Sequence, residues 1–180
     1  MKADSGQIGY QSEHLASKHD RTEFSCGIEV LDRYLRTQAL QDVEKRVAAA
    51  FVLTPDGKTV AGFYTLSAHT ISLGDLPSSV TKKLPRYPDV PGTLLGRLAV
   101  SQRFQGRGIG ELLLLDAFKR VLGASREIAS AVIVVDAKNG AAREFYLHHQ
   151  FIPLPLQPNR LFCPVAYIAR LFGPSVQPDK

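Results

Sequence analysis

The feature that most constrains this chain is a glycine-rich turn between a buried strand and a helix. Residues 93–100, TLLGRLAV, are largely apolar and predict a buried strand. Residues 109–122, IGELLLLDAFKRVL, predict a helix that is apolar on most sides. The turn QGRGIG at 105–110 lies between them, and a second apolar strand, ASAVIVVDA, follows the helix. A strand–helix–strand unit of this kind predicts a right-handed crossover between parallel strands.

The turn itself predicts an anion-binding site. Its three glycines allow backbone N–H groups to point into one concavity, and the helix start adds partial positive charge. Two common phosphate loops are excluded, because the third glycine of a dinucleotide fingerprint and the second glycine of a P-loop would both fall on Glu111. The alternative is a turn whose glycines serve only its tight geometry.

Upstream of the turn, the sequence predicts a helix, a hairpin and a long surface segment. Apolar residues with helical spacing predict one amphipathic helix over 31–43. Two apolar runs, 48–54 and 59–73, flank Pro-Asp-Gly-Lys and predict a β-hairpin. Four prolines within 74–92 exclude a regular central strand there. Downstream, we expect a short helix at 139–149 and a last strand within 160–170.

Composition excludes several other classes of protein. The chain has 180 residues, 44% of them hydrophobic, and only two cysteines, Cys26 and Cys163, which form no close-spaced pair. This argues against a zinc ribbon, a disulfide scaffold and a thioredoxin-like motif. We expect no metal. Without a signal peptide or a long apolar run, the protein is expected to be soluble and cytoplasmic. The net charge of +5 lies entirely in residues 91–180, which suggests an anionic partner, although scattered basic residues can also serve solubility alone.

The strand, turn and helix LGRLAVSQRFQGRGIGELLLLDA resemble the acetyl-coenzyme-A (acetyl-CoA) binding motif of GNAT acetyltransferases, Q/R-x-x-G-x-G/A. Gln105, Gly108 and Gly110 fit the motif, and Arg103, Gly106 and Gly108 fit it as well, so the register of the phosphate contacts stays open by two or three residues. Further blocks are similar to the tRNA-acetylating toxins of type II toxin–antitoxin modules, a GNAT subgroup: HDRTEFSCGIEVLDRYLRTQALQD, GFYTLSAHTI, LPRYPDVP and AAREFYLHHQF.

The resemblance implies a fold of the α/β class, the GNAT fold, with a mixed twisted sheet flanked by helices and a splayed central pair of parallel strands. We expect one domain over 1–172 and a flexible tail over 173–180. Two departures from the family concern fine substrate preference. Gln150 precedes Phe151 where the family usually has glycine, and Ser101 replaces a common acidic residue.

The resemblance also implies the site residues. The expected cofactor contacts are Leu98, Ala99, Val100, Arg103, Gln105, Gly106, Arg107, Gly108, Ile109, Gly110, Asn139 and Phe145. The Leu98 N–H is a candidate donor to the thioester oxygen. Tyr146 matches the family's catalytic tyrosine and is the candidate general acid, because a phenol with a pKa near ~10 stays protonated at neutral pH. The alternative is that Phe145 and Tyr146 only anchor a helix in the core, as an isolated Phe-Tyr pair commonly does.

No general base is evident. Glu111 and Glu144 lie on predicted helices beside the motifs, and the pair His148-His149 is typical of a surface. The α-amino group of an aminoacyl ester is less basic than a lysine amine, so a neutral fraction exists at pH 7 and water can accept the proton.

The expected substrate is the α-amino group of aminoacyl-tRNA, acetylated so that translation is blocked. Arg86 and Arg97 are candidate RNA contacts, or else partners in structural ion pairs. Two alternatives stay open: a GNAT enzyme for a small-molecule or protein amine, and a non-catalytic module that binds CoA. The resemblance further implies a homodimer and an antitoxin of the ribbon-helix-helix type.

Overall fold

The computed structural model describes residues 9–173, which contain a seven-stranded mixed sheet and six α-helices. The strands are β1 Gln11–His14, β2 Ala49–Thr54, β3 Gly62–Ser72, β4 Asp89–Val100, β5 Val132–Asp136, β6 Ile152–Leu154 and β7 Gln157–Pro164. The helices are α1 Glu29–Thr37, α2 Ala39–Glu44, α3 Ser78–Thr81, α4 Ile109–Ala124, α5 Gly140–His148 and α6 Val165–Leu171. Short 3₁₀ turns lie at Leu73–Asp75 and Gln102–Phe104.

The order of strands in the sheet is β1-β2-β3-β4-β5-β7-β6. β4 and β5 run parallel, whereas β1 with β2, β5 with β7, and β6 with β7 run antiparallel. The parallel pair is joined through α4, which is the strand–helix–strand unit that the sequence predicts. The predicted α/β class with a mixed sheet is confirmed.

The parallel ladder between β4 and β5 is short. It pairs Gly92–Leu94 with Val132–Val134. β5 continues beyond this ladder, because its antiparallel pairing with β7 extends to Asp136 opposite Arg160. The two parallel strands therefore separate before β5 ends, as the predicted splayed pair requires.

The chain forms two compact units, each with its own core. The first comprises the described residues up to Thr65 together with Arg97–Asp116. Its buried cluster includes aromatic and aliphatic residues of α1, α2, β2, β3, β4 and the segment before α1: Phe24, Tyr34, Leu35, Ala39, Val52, Phe63 and Ala99. The second unit comprises Leu66–Gly96 and the described residues from Ala117 on. Its cluster includes Ile71, Leu76, Val90, Val132, Val134, Leu154 and Phe162. One domain over 1–172 stays a prediction.

Four predicted elements are confirmed: the hairpin of β2 and β3, helix α4, strand β5 and helix α5. In the hairpin turn, the Asp56 carboxylate accepts hydrogen bonds from the backbone N–H groups of Lys58 and Thr59 at 2.9 and 2.6 Å. These bonds explain how Pro-Asp-Gly-Lys reverses the chain.

The predicted helix over 31–43 is two helices, because Gln38 leaves the helical conformation at φ −122° and ψ −34°. The predicted strand at 93–100 begins earlier, at Asp89, and contains Pro91. Proline is tolerated there because the Pro91 carbonyl accepts a hydrogen bond from the Ala131 N–H at 2.8 Å, a role that needs no N–H of its own.

The prediction of a last strand within 160–170 is wrong in its second half. β7 ends at Pro164, and α6 follows with Val165 and Ile168 buried at helical spacing. The strands β1 and β6, of four and three residues, were not predicted, because such short segments show no periodicity.

Of the predicted tail over 173–180, all but Gly173 lies outside the described residues. Within the described range, none of the helices has the length and apolar character needed to cross a bilayer.

Gly62 at the start of β3 allows α4 to pack directly against the sheet. A Cβ added at Gly62 would lie 2.7 Å from Leu113 Cδ1, 3.0 Å from the Ala99 carbonyl oxygen and 3.2 Å from Ile109 Cγ2. Two of these atoms belong to α4, the helix that begins directly after the glycine turn. The position of that turn therefore depends on a residue without a side chain in β3.

We predict that Gly62→Ala lowers the free energy of unfolding by about 1–3 kcal/mol, since the added methyl overpacks this contact. Denaturant unfolding measures the change. The control is Gly74→Ala, where no described atom lies within 4 Å of the added Cβ, and we expect a change within about 0.5 kcal/mol. Equal effects of the two substitutions would contradict the close packing at Gly62.

Candidate active site

The glycine turn connects the end of β4 to the start of α4 and is open to solvent. Gly106 and Gly108 have φ angles of +77° and +75°, and no described atom lies within 4 Å of a Cβ added at either position. Glycine is therefore required by the backbone conformation and not by crowding. The first N–H groups of α4 follow immediately and lack intrahelical acceptors, as at any helix start. The turn thus presents backbone donors and a helix dipole to an anion.

Both motif registers include Gly108, and they differ in the other glycine. Gly106 is left-handed, whereas Gly110 lies inside the first turn of α4 together with Ile109. Ile109 is buried, so its side chain anchors the helix start while its backbone remains at the turn. The described geometry leaves both registers possible.

The Gln105 side chain holds the turn in place. Its Nε2 donates to the carbonyl oxygens of Val100 at 3.1 Å and Cys26 at 3.2 Å. In the same region the Gln102 N–H donates to the Ser25 carbonyl at 2.7 Å. Gln105 is a predicted cofactor contact, and its side-chain amide links the turn to the end of β4 and to the segment before α1.

Two arginines and one aromatic ring surround the turn. The guanidinium carbons of Arg103 and Arg107 lie 5.9 and 5.4 Å from the ring centroid of Phe104, which is buried. Both arginines are exposed. Their charges add a positive potential beside the backbone donors of the turn.

The three predicted cofactor contacts on β4 alternate between its faces. Ala99 is buried in the core of α1 and α2. Leu98 and Val100, on the other face, are half-buried. Arg97 shares the Ala99 face, and its guanidinium carbon lies 3.5 Å from the ring centroid of Tyr34 in α1. The other predicted RNA contact, Arg86, is exposed between α3 and β4.

The candidate general acid, Tyr146, lies in an aromatic cluster on α5. Only 7% of Tyr146 is exposed, and its ring makes edge contacts with Phe145 and Phe151 at centroid distances of 5.3 and 5.1 Å. Among the described residues none hydrogen-bonds to its hydroxyl. Burial raises the pKa of Tyr146, so the phenol is protonated at neutral pH. The hydroxyl is therefore free to donate to a ligand.

Asn139 begins α5, because its side-chain oxygen accepts the Ala142 N–H at 2.8 Å as an N-cap. The other end of α5 fixes the backbone of Tyr146. The Tyr146 carbonyl accepts the Phe151 N–H at 3.0 Å, and the Leu147 carbonyl accepts the Gln150 N–H at 3.2 Å. This is a Schellman motif, and it places Gln150 in the left-handed region at φ +69°. The glycine that the family usually has before this phenylalanine thus corresponds to a real backbone requirement.

A charged cluster at the end of β5 was not predicted. The Asp136 carboxylate accepts two hydrogen bonds from Arg160 in β7, at 2.7 and 2.9 Å, and they lower the pKa of Asp136. Both residues line a cavity of about 250 Å³ together with residues 157–159. Burial and the charge of Arg160 lower the pKa of His69, whose Nε2 is buried with no described hydrogen-bond partner. The pairing of residues 24 positions apart follows from strand register, which the sequence does not show.

The residues considered as a general base in the sequence analysis do not lie in a buried polar site. Glu144 and His148 are exposed, and Glu111 is exposed in the first turn of α4. The His149 ring packs on Phe145 with a centroid distance of 4.5 Å.

Within residues 9–173, His, Cys, Asp and Glu side chains form no group of three that could hold a metal ion.

The predicted site residues thus form two sets. The end of β4 and the turn belong to the first unit, whereas Asn139, Phe145 and Tyr146 belong to α5 in the second. The turn supplies anion donors, and α5 supplies a protonated phenol.

Comparison with known proteins agrees with this chemistry. The family described as "Acetyltransferase (GNAT) domain" matches residues 46–153. A tRNA-acetylating toxin from Mycobacterium tuberculosis is 38% identical over 154 residues, which cover 85% of this chain and 91% of that protein.

Two solved structures are also similar. The structure of AtaT complexed with acetyl-methionyl-tRNAfMet has a TM-score of 0.85 and 33% identity, and it covers 91% of this chain and 99% of that one. A tyrosine-to-phenylalanine mutant of AtaT, bound to acetyl-CoA and to the C-terminus of the antitoxin AtaR, has a TM-score of 0.77 and 29% identity, with 91% and 98% covered.

We predict that Gln150→Gly raises the free energy of unfolding by about 0.5–1 kcal/mol. Relief of the left-handed strain is worth roughly 1–2 kcal/mol, and the added freedom of glycine in the unfolded chain offsets part of it. Chemical denaturation measures the change. Gln150→Ala is the matched control, because alanine keeps the Cβ and the strain, and an equal gain in that variant would contradict the strain argument.

Proposed function

Because the chain belongs to the GNAT acetyltransferase family, we propose that it transfers the acetyl group of acetyl-CoA to the α-amino group of aminoacyl-tRNA. The observation that carries the proposal is the open turn with two left-handed glycines at the start of α4. It meets the first requirement of the reaction, which is to hold a diphosphate without burying a side-chain charge.

In this proposal the backbone N–H groups of residues 105–110 bind the diphosphate of acetyl-CoA. Arg103 and Arg107 add positive charge from the exposed side of the turn. The strand backbone at residues 98–100 pairs with the pantetheine arm, beyond the point where the ladder with β5 ends. The Leu98 N–H then donates to the thioester oxygen as negative charge develops there. Asn139 orders the start of α5, and Phe145 packs beside Tyr146.

The chemistry requires one proton donor. The neutral amine attacks the thioester carbonyl, the C–S bond breaks, and the departing sulfur takes a proton from the Tyr146 hydroxyl. The tyrosinate then regains a proton from solvent, and the proton lost by the amine goes to water. The buried Tyr146 phenol is protonated at neutral pH, as a proton donor must be before the reaction.

The acceptor assignment is supported by the relatives. One similar protein is named a tRNA-acetylating toxin, and AtaT is solved with acetyl-methionyl-tRNA. The sequence adds a net charge of +5, located in residues 91–180, which suits an RNA substrate. Arg86, exposed between α3 and β4, is a candidate for a phosphate contact.

We further propose that the protein acts in the cytoplasm as a translation-blocking toxin. An antitoxin is the expected partner, because AtaT is solved with the C-terminus of AtaR. The antitoxin is expected to be of the ribbon-helix-helix type, and the toxin is expected to be a homodimer.

The turn predicts that Gly108→Ala weakens acetyl-CoA binding about tenfold, because a Cβ at φ +75° costs roughly 1–2 kcal/mol and reorients the amides. Isothermal titration calorimetry with acetyl-CoA measures the dissociation constant. Gly57→Ala is the matched control, since Gly57 has φ +78° in the hairpin turn. An equal loss of affinity in both variants would mean that global strain, and not the turn, controls binding.

Tyr146→Phe is expected to lower kcat about 10²- to 10⁴-fold. Acetyl-CoA affinity and thermal stability should stay close to those of the wild type, because no described residue hydrogen-bonds to the hydroxyl. Single-turnover acetylation of aminoacyl-tRNA, followed by mass spectrometry, measures the rate, and Tyr167→Phe in α6 is the control. Full activity of Tyr146→Phe would remove its role as general acid. Acetylation of polyamines or peptides in place of charged tRNA would favour the small-molecule or protein-amine enzyme.

A further inference from the structure

Arg97 is held against an aromatic ring that is itself fixed. Its guanidinium carbon lies 3.5 Å from the ring centroid of Tyr34, of which only 7% is exposed. The Tyr34 hydroxyl donates to the Asp42 carboxylate at 2.8 Å, and the Gln38 side chain donates to the same carboxylate at 2.9 Å. These bonds lower the pKa of Asp42, so the acceptor stays ionised. Tyr34 is thus a rigid platform under the guanidinium.

The N–H groups of Arg97 make no hydrogen bond or ion pair with any of the described residues. Arg97 is half-buried, and its nitrogens are not among the fully buried, unpartnered polar atoms of the described residues. Arg160 provides the contrast within the same chain, because its Nε and Nη2 donate to the two carboxylate oxygens of Asp136 at 2.7 and 2.9 Å. Stacking uses only the face of a guanidinium and leaves its edges for planar recognition of an anion. Arg160 serves the fold, whereas Arg97 is oriented by Tyr34 with its N–H groups unpaired. The charge of Arg97 also lowers the pKa of the nearby Asp42, with which it forms no ion pair among the described residues.

The position of Arg97 relates it to the proposed reaction. It directly precedes Leu98, the proposed donor to the thioester oxygen, and its side chain lies on the opposite face of β4, with α1 and α2. The diphosphate of acetyl-CoA is already assigned to the turn at 105–110. An anion at Arg97 therefore belongs to the other substrate.

We infer that Arg97 binds a phosphate next to the aminoacylated nucleotide of the RNA acceptor and so selects acceptors that carry a phosphate. This inference rests on the proposed function and names the group that distinguishes aminoacyl-tRNA from other amines. Tyr34 is the positioning residue, because it fixes the plane of the guanidinium.

The test compares two acceptors with the same amine and ester. Aminoacyl-tRNA carries phosphates, and the corresponding aminoacyl-adenosine carries none. Arg97→Gln should raise KM for aminoacyl-tRNA about 10- to 100-fold with kcat nearly unchanged. The same variant should leave kcat/KM for aminoacyl-adenosine and the affinity for acetyl-CoA unchanged. Arg97→Lys should recover part of the loss, since it restores the charge without the planar fork.

A binding measurement separates this inference from the proposed function. Fluorescence anisotropy with a tRNA acceptor-arm minihelix needs no turnover, and Arg97→Gln should weaken binding and reduce the salt slope by about 0.7. Arg170→Gln, a cation 6.0 Å from the ring centroid of Tyr167, is the matched control and should change neither. Equal losses with both acceptors, weaker acetyl-CoA binding, or unchanged minihelix affinity would each overturn the inference. Failure of the wild type to acetylate any aminoacyl-tRNA would instead overturn the proposed function.

Discussion

The close contact between α4 and the start of β3 supports the rest of the site. Because Gly62 has no side chain, Leu113 and Ile109 of α4 pack directly against the strand. This contact fixes the helix start, and Gly106 and Gly108 then turn the chain from β4 into that start with left-handed backbone angles. Gln105 adds hydrogen bonds to Val100 and Cys26. The proposed phosphate site consists of backbone amides, so its geometry depends on the position of α4, which this packing fixes.

The proposed proton donor, Tyr146, is held in position by other contacts. Tyr146 is held by two aromatic contacts and by the Schellman motif that ends α5, so its position does not depend on its hydroxyl. The hydroxyl has no protein partner among the described residues and can serve the reaction. The cost is the left-handed backbone of Gln150. The backbone strain at Gln150 thus helps to position Tyr146 without a hydrogen bond to the Tyr146 hydroxyl.

The arginines divide between structure and ligand binding according to what their N–H edges contact. Arg160 forms a bidentate ion pair with Asp136, which brings the two opposite charges together. Arg97 is stacked on Tyr34, and Arg103 and Arg107 lie near Phe104, and none of the three forms an ion pair with a described residue. The arginines that form no ion pair in this set therefore lie in β4 and in the turn that follows it.

The sequence by itself determined the local elements and the chemistry that they carry. Long apolar runs predicted α4 and β5, and the glycine spacing predicted an anion-binding turn. The motif of that turn, together with several other blocks, carries the family resemblance, which implies Tyr146 as the general-acid candidate. These features depend on residues close together in the chain. Only the tertiary structure decided the break at Gln38, the strands β1 and β6, and the contrast between Arg160 and Arg97. The physical reason is that strand register and side-chain stacking join residues far apart in the chain, and no local pattern records which distant partner a short strand or an arginine will meet.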